Sequence, residues 1–193
     1  MLVLIITQSC YVAKPLEREV HVSVNKDFPV VIRNEGNSNF SSRHSEEEYR
    51  QAYIKDMISE FGADHVIMDD VNPEFIVRIA VLEITESTKM DTVKDIKSKD
   101  NGMVREITLG GLKTHGTVLK PGGPETKWDA ERDKNEALTS NRSVGQMIEG
   151  ENKSGTEYRV KSFNDNEFVV QAGHCGRRAA VRVVQQIKKQ LGQ

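Results

Sequence analysis

The chain has 193 residues, 37% hydrophobic and 29% charged, which allows one domain of ordinary size with its loops. A formal net charge of -2 gives no electrostatic case for nucleic acid as a partner. No apolar stretch is long enough to span a bilayer, and two cysteines, Cys10 and Cys175, make neither a zinc cage nor a disulfide framework.

The chain opens with five consecutive apolar residues, Leu2 to Ile6, and reaches Cys10 through Thr7, Gln8 and Ser9. This resembles the end of a bacterial lipoprotein signal peptide, with the relaxed lipobox of Bacteroidetes-type lipoproteins, since Gln8 is not small. The resemblance implies a lipidated Cys10 and an anchor in the membrane that does not cross it. The basic n-region is not present, which a start codon further upstream accounts for. A plain N-terminal strand over Leu2–Thr7 in a cytoplasmic domain is the alternative. Residues 1–15 are therefore read as a signal remnant and tether, and 16–193 as a single α/β domain.

Val20, Val22 and Val24 alternate with polar residues and predict a half-buried strand. Phe28–Ile32 reads as a short strand, pushed towards an edge by Pro29. After a loop at Asn34–His44, Ser45 and Glu48 form a capping-box signature. The spacing predicts a helix over 45–61, stopped by Gly62, with Tyr49, Tyr53, Met57 and Phe61 as its core stripe. Ala63–Met68 leads through a short strand to the longest apolar runs.

Those runs are Glu74–Glu86 and Val104–Lys120. The first carries apolar residues on both parities and predicts a strand buried on both faces. The second holds Gly110-Gly111, which predicts a bulge or bend. The polar stretch between them ends in Asp100-Asn101-Gly102, a turn signal, so the two form a long central hairpin. A mobile loop is expected at about 120–143, with a helical turn from Ala130 to Leu138. Trp128 within it is read as a cap over the core, with an exposed partner contact as the alternative. Short strands are expected at Val144–Ile148 and Glu157–Phe163. A turn follows at Asn164-Asp-Asn166, and then the apolar run Phe168–Val170. An amphipathic helix over 176–191 closes the chain. Arg177, Arg178, Lys188 and Lys189 form its basic face, suited to solubility or to contact with a partner or anionic headgroup. The fold class expected is α+β: one mixed or mostly antiparallel sheet with two helices on it.

No residue set reads as catalytic. His174-Cys175 adjoins the expected start of the last helix, but sequence neighbours rarely face each other as a dyad. Asp64, Asp69 and Asp70 read as solvated turns rather than a cation site, and His21, His44, His65 and His115 lack ligand spacing. No metal or cofactor is expected, and the chain is read as a non-enzyme.

The order of elements after a lipobox-like cysteine resembles small periplasmic α/β lipoprotein domains, such as TolB N-terminal-like and curli-assembly-like domains. That resemblance implies a non-enzymatic scaffolding or binding role in envelope assembly or transport. It implies an outer-membrane anchor facing the periplasm and other envelope proteins as partners, and it is compatible with a homo-oligomer. Only Cys10 is carried over, as the lipidation site. The competing class is a soluble ligand binder or enzyme with a pocket between helix and sheet, holding His115, or His174 and Cys175.

Overall fold

The computed structural model describes residues 15–36, 39–92, 101–102, 104–132, 141–143 and 167–193. The strands and helices in them are β1 (Val20–Val24), β2 (Val30–Asn34), α1 (Glu46–Ala63), β3 (Val66–Met68), β4 (Phe75–Thr92), β5 (Val104–Leu119), β6 (Glu125–Arg132), β7 (Asn141–Ser143) and α2 (Glu167–Leu191). The strands form one mixed sheet in the order β3-β1-β4-β5-β6, with β2 also paired to β4 and β7 to β5. Both helices pack on each other and on one side of this sheet, so the α+β class is as expected.

The long hairpin is the axis of the molecule. β4 and β5 pair antiparallel from Ile76↔Leu119 to Thr92↔Val104, with one irregularity between Ile79 and Val81. That irregularity corrects the reading of a strand buried on both faces. Phe75, Val77 and Ile79 face the core before it, and Leu82, Ile84 and Glu86 after it. The extra residue, Ala80, switches the inward parity, because side chains alternate with a period of two. One buried face thus draws on both parities of the sequence. Gly110 and Gly111 pair in register with Glu86 and Thr85, so the expected bend there is not found.

The partner strand responds to the bulge. β1 runs parallel to β4 at Val22↔Phe75 to Val24↔Val77, and β2 resumes at Val30↔Leu82. Between them Asn25 stands in for a strand. Its Oδ1 accepts from the Ile79 N–H at 2.6 Å, and its Nδ2 donates to the Ile79 carbonyl at 3.0 Å. A carboxamide carries the same donor and acceptor as a peptide group, so it keeps both polar groups of Ile79 paired where the ladder breaks.

α1 starts as its sequence specifies. The Ser45 Oγ accepts from the Glu48 N–H at 3.2 Å, and the Glu48 carboxylate accepts from the Ser45 N–H at 2.8 Å. Tyr49, Tyr53, Met57 and Phe61 are fully buried. The helix passes through Gly62 and ends at Ala63. Asp64 caps it and His65 takes φ +62, so the stop lies later than expected.

α2 is longer than expected. It begins at Glu167, so Phe168–Val170 is helix and His174-Cys175 lies inside it rather than at its start. The reason is periodicity: Phe168, Ala172, Cys175, Ala179, Val183 and Ile187 continue one buried stripe. α1 and α2 pack against each other, with Gly176 against Tyr53, Gly173 against Asp56, and Arg177 paired to Asp56 at 2.8 Å. A Cβ at Gly176 would stand 2.2 Å from the Tyr53 carbonyl oxygen, so glycine is what lets the two backbones meet.

β6 corrects the loop expected from about 120 as far as Arg132; the helical turn expected from Ala130 to Leu138 begins on strand, and its remainder lies outside the described residues. The turn after Lys120, with Gly122 at φ +73, folds the chain back onto β5 from Leu119↔Glu125 to Leu112↔Arg132. Trp128 and Ala130 face the core while Lys127, Asp129 and Glu131 face out, which is the alternation of a strand. The expectations at Cys10, Val144–Ile148, Glu157–Phe163 and 164–166 lie outside the described residues.

Candidate functional site

The side of the sheet away from the helices carries the polar side chains. At its β1 end, the segment from Asp69 to Glu74 crosses over β1 to join β3 to β4, and a polar cluster fastens it. The Asp69 carboxylate accepts from the backbone N–H groups of Asn72 and Val71 and pairs with His21 Nδ1 at 2.8 Å. Those bonds, led by the one from Asn72, hold its pKa down at about 2. Ser23 and Lys26 bond Asp70, at 2.9 and 3.2 Å, and lower its pKa too. Arg18 grips Glu74 with two bonds of 2.8 and 2.6 Å, which lowers the carboxyl and raises the guanidinium. These carboxylates are spent on the crossover. Among the described residues no group of three His, Cys, Asp or Glu is placed to hold a metal ion.

Further along the same face, charge alternates across four strands. Arg33 on β2 lies 3.9 Å from Glu83 on β4, and Lys113 on β5 lies 3.2 Å from Glu131 on β6. His115 stands exposed between Val81 and Asp129 in register. It is therefore on the opposite side of the sheet from the helices, which corrects its placement in a helix–sheet pocket.

Where that pocket was expected, between helices and sheet, Tyr53, Thr114 and Cys175 are buried. The Tyr53 hydroxyl meets Thr114 Oγ1 at 3.2 Å beneath the helices. Burial, then the neighbouring Cys175, pushes the Tyr53 pKa up, and Cys175 itself is fully buried. At the other end of α1, buried Glu86 accepts from the N–H of Phe40 at 3.1 Å and from the N–H and Oγ of Ser41. Tyr49 donates to the Ser41 carbonyl at 2.7 Å, so a polar knot pins the 3-10 turn Ser41–Arg43 over the core.

The expected contact residues are scattered. Trp128 is only 3% exposed, its ring over Gly116, so it is a core residue and not a surface contact. Arg177 is tied to Asp56, and Arg178 donates to the Glu131 carbonyl at 3.0 Å. Lys189 is exposed and Lys188 half-buried near Asp64. Asp64, unlike Asp69 and Asp70, is pushed up by burial, and it shares no cluster with them. Sequence reasoning missed the His21–Asp69 pair, Asn25 and Glu86. Only Glu86 left a signal: a carboxylate two residues beyond Ile84 on the inward parity.

No protein-family model matches the chain, and no curated protein matches it in sequence. Solved structures do resemble it. A protein described as a neuraminyllactose-binding hemagglutinin homolog from Helicobacter pylori superposes with TM-score 0.43 and 10% identity, over 92% of this chain and 89% of that one. Rare lipoprotein B from Shewanella oneidensis gives 0.34 and 11%, over 86% and 97%. A minor lipoprotein from Acinetobacter baumannii gives 0.32 and 12%, over 89% and 91%. The chain is thus distantly similar in structure to proteins that include bacterial lipoproteins, at a level that says nothing of what it binds.

Proposed function

We propose that the protein is a bacterial envelope lipoprotein, anchored to the outer membrane through Cys10 and facing the periplasm, with a non-enzymatic binding or scaffolding role. The observation that carries this is the apolar run Leu2 to Ile6 reaching a small residue and Cys10, six positions before Leu16, which is 1% exposed and roots the domain. The domain supports a binding role in how it uses its polar groups. His21, Asp69, Asp70 and Glu74 fasten a crossover, Glu86 pins a turn, and Cys175 is packed in the helix interface. The polar sheet face stays open to other envelope proteins.

The test is intact mass and membrane fractionation of the full-length gene product from its own cell. The expected result is a chain cleaved before Cys10, with acyl mass added there, in the outer-membrane fraction. Cys10→Ser should move it to the soluble fraction. An unmodified chain in the soluble fraction would overturn the reading.

A further inference from the structure

The two ends of the hairpin differ in what surrounds them. At the end where β4 begins, Leu16 donates to the Asp64 carbonyl and its own carbonyl bonds His65 Nδ1 at 2.8 Å. β1 pairs there with β3 and with the first residues of β4. The turn from β5 to β6 lies at that end, beside the pair Ile76↔Leu119. So do the C-terminal ends of both helices: Asp64, which caps α1, accepts from the Leu16 N–H, and Gln190 near the end of α2 donates to the Val118 carbonyl at 3.3 Å and to Thr126 Oγ1 at 2.9 Å. At the other end β4 runs on past its last pair with β2, Asn34↔Glu86, to Thr92.

The reach of the chain turns this polarity into an orientation. Six residues from Cys10 to Leu16 span at most roughly 20 Å. The 18 residues of β4 span roughly 55 Å. A lipidated Cys10 therefore holds the Leu16 end near the bilayer and leaves the far end free to stand off. The open sheet face gives an anionic surface little to grip, since it alternates Arg33, Glu83, Lys113 and Glu131 and mixed charge offers no net attraction. On the helix side α1 mixes Glu46, Glu47 and Lys55, and α2 pairs Arg177 with Asp56 but also exposes Arg178, Arg182 and Lys189. Lys188 and Lys189 stand in the last turn of α2, at the Leu16 end, where they favour contact of that end with anionic headgroups.

We propose that in the anchored protein the Leu16 end, with the β5–β6 turn and the helix C-termini, abuts the bilayer, while the β4–β5 hairpin points away from it. This rests on the lipoprotein reading. The test uses the full-length lipidated protein in phosphatidylethanolamine–phosphatidylglycerol vesicles that carry a headgroup nitroxide quencher. Environment-insensitive fluorophores are placed at Glu125→Cys beside the β5–β6 turn, at the same end of the sheet as Leu16, and at Met90→Cys or Asn101→Cys at the far end; all three positions are exposed. Acylated Cys10 is unreactive and Cys175 is buried, so the labels go where intended. Quenching severalfold stronger at Glu125→Cys than at either distal site is expected. Equal quenching at both ends, or stronger quenching at the hairpin, overturns the orientation while leaving the anchor intact. An unmodified Cys10 by intact mass removes the anchor itself, and the orientation falls with it.

Discussion

Single residues here act through backbone groups more than through each other. Gly176 and Gly62 both lie in helices, yet their surroundings are opposite. A Cβ at Gly176 meets the Tyr53 backbone at 2.2 Å, while one at Gly62 meets nothing within 4 Å. Gly176→Ala should therefore cost about 2–3 kcal/mol by forcing the helices apart. Gly62→Ala should stabilise by about 0.5–1 kcal/mol through a less flexible unfolded chain. Urea denaturation of the two variants checks both signs. Asp69 gives a second test, through protons. Its carboxyl sits at about 2 in the fold against an ordinary 3.8, so the unfolded chain binds its proton more readily. The stability it adds is complete well above that ordinary value and is lost as pH falls through about 2. Asp69→Asn keeps an acceptor for Val71 and Asn72 but not the charge. The urea midpoint of the native protein should exceed that of the variant near neutral pH, and the gap should close as the acid limit is approached. A gap independent of pH would show that charge plays no part.

At the scale of elements, the strands with a periodic pattern were legible and the places where the pattern slips were not. β1 and the capping box of α1 could be read directly, because each is settled by residues within a few positions. β4 was legible as a strand but not as a one-sided one, since a bulge at Ala80 mimics two-sided burial in the sequence. β6 was hidden because Lys127, Asp129 and Glu131 make its outer face as polar as a loop, although Trp128 and Ala130 hold the alternation. Nor does any local rule tell that Asn25 spans the bulge from 54 positions away. That role carries a prediction. Asn25→Ala strands the N–H and carbonyl of Ile79 without side-chain partners and should cost about 2 kcal/mol. Hydrogen exchange at the Ile79 amide should accelerate more than at Val77, whose carbonyl accepts from the Asn25 backbone N–H, a group the substitution keeps. Equal acceleration along the whole of β4 would instead make Asn25 an ordinary contributor to global stability.

For the whole molecule, the α+β class and the hairpin as its axis followed from the order of apolar runs. The polar cluster did not, because His21 and Asp69 are 48 positions apart and meet only once the crossover is built. The helices cover one side of the sheet, so stability is concentrated in a single helix–sheet layer, and the first residue to enter it matters for the whole. Leu16 is that residue among those described, 1% exposed beside the end of α1. It joins the segment that follows Cys10 to the core. Leu16→Ala removes a buried side chain where Asp64 and His65 bond its backbone, and should cost about 2–4 kcal/mol. The loss should be global in urea. It should also be local in exchange: the Val20 amide, which donates to the His65 carbonyl at 3.0 Å, should lose protection before the amides of α2. Leu16→Met keeps the volume and should cost less than about 1.5 kcal/mol. If Leu16→Ala also costs less than that, the burial of Leu16 adds little to the fold, and the anchor then transmits no fixed orientation to the domain behind it.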